Sequence, residues 1–411
     1  MKRRPFSRRL GLAFGAALAL FLCAAPAPAQ TWTGLRVQGK QIVDQDGKNV
    51  VLRGLGPGEW FNIEAYMIKW PDNDKGPIFY GDSLIRKTLV DLMGQSNADE
   101  FYRRWEANII AEADVQKWAD WGANSVRLSM NYHWLTTSDG VYLDSGWQRI
   151  DRLIAWCKKY GIKVILCLHA APGSQSGELM SDSAGVPRLW TEGSTYQPWT
   201  IHLWQKIAER YAHETTVAGY DLLDEPMPPA GHEKAVRMFY VYVSKAIRSV
   251  DPHHILFIEG LEYAGSVKGM QAMAPAWDDN MVFDFHKYWD KNDPASIQGY
   301  LQIRDRENRP LWNGESGESD EPWGKDMIAL CEKNNIGWSW WTYKKVDSTR
   351  QPYTVHAPAN YKKILDYVAG KGPKPSQAEA TEIMLALADN AATAKCRYNA
   401  DEVQAIFGGR K

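Results

Sequence analysis

The sequence predicts an α/β protein folded as a closed (β/α)8 barrel of the TIM type, with a long insertion after strand 1 and a short C-terminal helical extension. Three observations carry this. Between residues 50 and 343, eight short apolar runs alternate with amphipathic stretches, the order in which a parallel sheet and its crossovers must come. The runs are nearly continuous in apolar residues, as strands covered on both faces are. Two of the intervening patterns stop on Gly122 and Gly161, the residue type that ends helices. The competing architecture, an open doubly wound sheet, calls for a glycine-rich phosphate turn after an early strand, and "RGLGPGEW" contains no GxGxxG.

Taken in order, the chain begins with the basic "MKRRPFSRRL", continues with "GLAFGAALALFL" and offers a small-residue cleavage site in "APAQ" after Ala29. The apolar stretch is too short to span a bilayer, so residues 1–29 read as a signal peptide. Ser7-Arg8-Arg9 leaves both Sec and twin-arginine routes open, and the mature chain is expected in the periplasm or outside the cell. Cys23 follows Leu22 rather than a small residue, which argues against a lipid anchor. Residues 30–370 form the barrel domain. Its strands are read as "VVLRGLG" (50–56), "ANSVRLSM" (123–130), "KVILCLH" (163–169), "GYDLLDE" (219–225), "HILFIEG" (254–260), "MVFDFHKY" (281–288), "PLWNGE" (310–315) and "GWSWWTY" (337–343). Patterns such as "GWQRIDRLIAWCKKYG" and "EKAVRMFYVYVSKAIRSVD" repeat apolar residues at helical spacing. Residues 57–115, opening "PGEWFNIEAYMIKWP", are the insertion and are expected to wall one side of a site. Residues 371–411 follow a Pro/Gly/Lys hinge as a helical tail.

Composition narrows the partner. Lys plus Arg (48) nearly balances Asp plus Glu (49) without long runs of one sign, which removes the electrostatic case for nucleic acid or an anionic membrane. The ligand is expected to be neutral, and the protein a monomer with no membrane contact once the signal is removed. Nineteen Trp and nineteen Tyr serve either as core filling or as platforms for flat apolar ligand faces. Cys157, Cys167, Cys331 and Cys396 lack CxxC spacing, so zinc knuckles are excluded, while a single disulfide stays open. No metal or cofactor is called for. A metal hydrolase built on His169 and His286 would want an HxH or HExxH pair, which the chain lacks.

In barrels of this kind the reacting groups project from the C-terminal strand ends. Those ends carry Arg127, His169, Asp224 with Glu225, Glu259, His286 with Tyr288, Glu315, and Trp341 with Tyr343. Such groups are costly to bury singly, so they must satisfy one another or surround a wet cleft. Glu225 and Glu315, on the fourth and seventh strands, face each other across the barrel. A pair of carboxyls about 5–5.5 Å apart, one protonated and one ionised, is what a retaining glycosidase uses. Arg127 would hold one of them ionised, with Tyr288 and His286 in reach to position it.

These motifs resemble glycoside hydrolase family 5, the cellulase-type retaining β-glycanases of clan A. "SVRLSMNYHWL", "LHAAPGSQSG", "DEP", "HKYW" and "WNGESG" occur in the family's order over residues 35–368. "LHAAPGSQSG" is especially similar to exo-β-1,3-glucanase-like members and related bacterial β-glucanases. The resemblance implies that Glu225 is the acid/base and Glu315 the nucleophile, with Arg127 and Tyr288 keeping Glu315 ionised. It further implies that His169 and His286 line the subsite of the cleaved sugar and that Trp341 stacks beneath it. The implied substrate is a β-glucan or related oligosaccharide, with Trp190, Trp199, Trp289 and Trp323 as further stacking candidates. One departure stands out: the family has Asn before the acid/base, donating to the sugar 2-hydroxyl, and this chain has Asp224. A carboxylate there only accepts, and a second acid beside Glu225 raises the pKa of one of the two. A carbohydrate-binding pseudoenzyme is therefore the alternative expectation.

Overall fold

The computed structural model describes residues 1, 32–71 and 81–408. The signal-peptide reading of residues 1–29 lies outside these, Met1 apart. From Thr33 onward the chain is one compact unit. Eight parallel strands close on themselves in chain order: Arg53–Gly56, Ser125–Asn131, Lys163–Ala170, Val217–Asp221, Ile255–Glu259, Met281–His286, Leu311–Gly317 and Gly337–Trp341. The eighth strand pairs with the first, Trp341 opposite Gly56, so the doubly wound alternative is excluded. Each apolar run read from the sequence overlaps its strand, with four of the strands reaching one or two residues past the run. The fourth is the one misjudged at its active end: it stops at Asp221, leaving Asp224 and Glu225 beyond the sheet.

Helices follow the strands, and some of them begin where a short polar side chain takes up a free backbone N–H group. Asp293 accepts from Ser296 N and Asp320 from Trp323 N, each with a proline in the first turn that has no N–H to satisfy. Gly122 and Gly161 end their helices in the left-handed conformation, as expected. The hairpin Arg36–Gln38 and Gln41–Val43 lies at the N-terminal end of the barrel. There Leu35 and Ile42 join Leu52, Ile165, Phe257 and Trp312 in a buried apolar cluster. The opposite end is free to hold polar groups.

The insertion comprises two short turns, Gly58–Trp60 and Ala65–Ile68, and the helices Asp82–Met93 and Gln95–Ile109. It ends slightly earlier than read, because the first barrel helix, Glu112–Trp121, already starts at Glu112. The tail is helical at Gln377–Asn390 and Ala400–Phe407, but between them Arg397–Tyr398 adds an antiparallel strand against Tyr353–Val355. It is tied into the insertion: Arg104 Nη1 meets Asp389 Oδ2 at 2.9 Å and Asn108 Nδ2 donates to Ala388 O at 2.9 Å. The four cysteines from Cys157 to Cys396 are all free thiols.

Candidate active site

At the C-terminal end of the barrel lies a cleft of about 780 Å³. Its organising residue is Arg127 on the second strand, fully buried. Nε donates to Asp221 Oδ2 at 2.8 Å, Nη2 to Asp224 Oδ1 and Glu259 Oε1 at 2.8 Å each, and Nη1 to Glu315 Oε1. Glu315 is fixed a second time by Tyr288, whose hydroxyl donates to Oε2 at 2.9 Å. The seventh strand bulges between Asn313 and Ser316, the local kink that re-aims a side chain. Gly314 within the bulge is obligatory, since a Cβ there would sit 2.4 Å from Asp284 Oδ2.

Glu225 is held differently. Its backbone adopts φ +41°, unusual for a residue with a side chain. Its N–H donates to Glu259 Oε2 at 2.6 Å, and its Oε1 lies 2.8 Å from His286 Nδ1. One oxygen of Glu225, one of Glu315 and a ring nitrogen of His286 lie within 4.8 Å of one another. The two glutamates thus meet at the mouth, one beneath two donors and the other beneath one histidine. These three groups are close enough to share a metal ion, but the Glu315 oxygens already take hydrogen bonds from Arg127 and Tyr288, which an ion would have to displace.

His169 bridges two acids, with Nε2 2.9 Å from Glu64 Oε1 and Nδ1 3.1 Å from Asp224 Oδ1. It stacks on Trp341 at 5.1 Å between centroids, and Trp341 Nε1 donates to Tyr66 OH at 2.6 Å. Gly58 makes this packing fit: a Cβ there would come within 2.2 Å of the indole. The eight strand-end residues given a role from the sequence therefore converge, and Glu259 with them. Tyr343 does not join them; it is buried and donates to Asp114 Oδ1 at 2.8 Å. Of the other tryptophans, Trp289 lines the cleft and is 70% exposed. Trp190 is buried against Phe239 and Trp199 packs on Tyr132 and Tyr196, so both are packing residues. Trp323 donates to Asp290 O, outside the cleft lining.

Charge balance sets the protonation. Three cationic groups, Arg127, His169 and His286, face seven carboxyls: Glu64, Asp221, Asp224, Glu225, Glu259, Asp284 and Glu315. Not all seven can be ionised in so buried a place. Burial opposes charge on both histidines, yet the acids around them outweigh it and hold both rings well above their ordinary range. Burial also acts against Asp224, but His169 and Arg127 overcome it and keep that carboxyl well below its ordinary value. For Glu225 burial wins: helped by Asp224 and Glu315 and opposed by His286, it pushes the carboxyl up to about 8. Of the two adjacent acids, Asp224 is thus the anion and Glu225 the one that keeps its proton.

Sequence reasoning missed Glu64 and Tyr66, which reach the site from the insertion, and gave no role to Asp221, Glu259 or Asp284. Acids inside apolar strand runs, as in "GYDLLDE" and "MVFDFHKY", were the available signal for the last group.

A barrel of this topology carrying paired glutamates over a tryptophan-floored cleft defines an O-glycosyl hydrolase. The chain belongs to the cellulase family, glycosyl hydrolase family 5, whose profile matches residues 87–347. It is 30% identical over 349 residues to a β-xylosidase of Phanerodontia chrysosporium, covering 76% of this chain and 71% of that one. It is 29% identical to a probable glucan 1,3-β-glucosidase A of Aspergillus fumigatus, over 58% of this chain and 56% of the relative's length. Among solved structures, an endogalactoceramidase shares the fold with a TM-score of 0.57 at 18% identity, covering 86% of this chain and 85% of the other.

Proposed function

We propose that this protein is an exported, retaining β-glycosidase acting on a glucan-type polysaccharide or oligosaccharide by double displacement. The observation that carries this reading is the opposed settings of two carboxyls whose oxygens lie within 4.8 Å, the close spacing of a retaining pair. Glu315, beneath Arg127 and Tyr288, attacks the anomeric carbon while Glu225 passes its proton to the departing glycosidic oxygen. The alcohol leaves, and the sugar stays bonded to Glu315. Glu225, now ionised, takes a proton from water as the water's oxygen displaces Glu315 from the same carbon. Both carboxyls end as they began, and two inversions give net retention.

Trp341 and its stacked partner His169 floor the subsite for the ring being cleaved, with Glu64 and Tyr66 at its edge. Asp224 Oδ2 is buried without a hydrogen-bond partner, in a residue that lines the cleft. A sugar hydroxyl donating to it would satisfy that oxygen, so an aspartate in this place is compatible with catalysis and the pseudoenzyme reading loses its motive. The leaving group departs over Glu225, between the loops that follow strands three and five. There Tyr263 OH donates to Glu178 Oε1 at 3.2 Å, a contact bounding that side and favouring short leaving groups. Residues 1–29 direct export.

The test is proton NMR of the first-formed product on a panel of β-1,3, β-1,4 and β-1,6 glucans, mannan and xylan. A β-configured reducing sugar is expected from the linkage that is cleaved; α product, or activity surviving in Glu315→Ala, would overturn the mechanism.

A further inference from the structure

Glu259, at the end of the fifth strand, is fully buried and belongs to no pair that a hydrolytic mechanism requires. Its contacts are nonetheless the most consequential in the site. Oε2 accepts from the backbone N–H of Glu225 at 2.6 Å. Oε1 accepts from Arg127 Nη2 at 2.8 Å and lies 3.4 Å from His286 Nε2. His286 in turn holds the Glu225 side chain through its other nitrogen at 2.8 Å. Glu259 therefore bonds the main chain of the acid/base directly, faces at ion-pair distance the imidazole that holds its carboxyl, and touches the guanidinium that holds Glu315.

The geometry points to Glu259 as the positioning residue that fixes the acid/base glutamate in its left-handed conformation and aims its carboxyl at the leaving group. The reading rests on Glu225 being that acid/base. Three properties support it. The regular strand stops at Asp221 and the last backbone bond to a neighbouring strand is that of Asp224 N to Leu168 O at 3.2 Å, so the next N–H, that of Glu225, has a side chain as its partner, Glu259 Oε2 at 2.6 Å. A φ of +41° in a non-glycine residue persists only where its surroundings impose it. All three partners offer donors, and they divide between the two oxygens, so an ionised carboxylate satisfies them and an amide does not. In Glu259→Gln one side of the amide turns N–H groups against a donor. Arg127 would still keep Asp221, Asp224 and Glu315, so the barrel has no unpaired buried cation to unfold it.

The experiment compares 2,4-dinitrophenyl and phenyl β-glycosides of the sugar that the wild-type protein releases from the glycan panel. A dinitrophenolate leaves without a proton, whereas a phenolate needs one, and general acid help is worth about 10²-fold or more. In Glu259→Gln, kcat/KM on the phenyl glycoside is expected to fall about tenfold further than on the dinitrophenyl glycoside. Equal losses on both substrates, or none, would overturn the inference, because a merely structural role does not distinguish leaving groups. Glu225→Ala is run alongside. If it shows the split and Glu259→Gln does not, Glu259 is not the positioning group; if Glu225→Ala shows no split, the acid/base assignment itself fails. Should melting curves show Glu259→Gln unfolded, Glu259→Asp, which keeps the charge but withdraws it from the Glu225 N–H, is read against the same criteria.

Discussion

The two adjacent acids Asp224 and Glu225 differ by one position and have opposite chemistry. Asp224 faces His169 and Arg127 and is an anion; Glu225 faces one histidine and two further acids, and burial pushes it up to about 8. The direction of the pH effect follows. An acid whose pKa is raised stays protonated until the pH reaches that value, so kcat/KM on substrates needing a proton should hold through neutrality and fall as pH rises through about 8. Asp224 contributes to that rise. Asp224→Asn should therefore move the alkaline limb to lower pH, while Arg127 retains its other three carboxylates. A pH–rate profile of the two proteins checks this; a limb that stays in place in the variant would mean that the neighbouring charge does not tune Glu225. An inert parent made active by Asp224→Asn would instead restore the pseudoenzyme reading.

At the scale of elements, the strands and the extent of the insertion were legible, and the insertion's contacts were not. A strand buried on both faces reads as a continuous apolar run whatever its neighbours, and the runs around Val126, Leu166 and Phe283 show this plainly. The end of the fourth run misled because Leu222 and Leu223 are buried as deeply as strand residues, although the regular strand stops at Asp221 and only single bonds from Leu222 N and Asp224 N still reach its neighbours. Glu64 and Tyr66 were beyond reach, since their contacts lie 105 and 275 positions away along the chain, at His169 and Trp341, and no local period encodes such pairings. The insertion is pinned by His133, which follows the second strand. Its Nε2 lies 3.0 Å from Asp82 of the insertion and its Nδ1 3.2 Å from Asp182 after the third strand. Burial opposes the charged ring, but the two aspartates prevail and raise it to about 9 from 6.5. A histidine raised on folding adds stability that is complete below its unfolded value and disappears as pH rises through the folded one. His133→Gln should cost about 2 kcal/mol at pH 6 and almost nothing above pH 9. Urea unfolding of both proteins across that range measures the difference, and a constant gap would show that the ring acts by packing alone.

For the whole molecule, Lys344 is the residue at which barrel, insertion and tail meet. It follows the eighth strand and is fully buried. Its ammonium donates to Asn108 O of the insertion at 3.1 Å and, in the tail, to Ala391 O at 2.9 Å and Thr393 Oγ1 at 2.8 Å. Its own N–H reaches Glu59 Oε1 at 2.8 Å, and Glu59 also binds Thr342, next to Trp341. A single residue therefore connects residues 371–411, which read as an appendage in the sequence, to the floor of the cleft. Cutting it leaves two carbonyl oxygens without their donor, that of Ala391 in a fully buried place and that of Asn108 in a partly buried one, a penalty of about 1–3 kcal/mol each where water is kept out. Lys344→Met should accordingly lower stability by about 3 kcal/mol or more, and parent and variant should each lose activity and tryptophan fluorescence in one coincident thermal transition. Were the tail an independent unit, the variant would melt in two steps, with the barrel and its activity surviving the first.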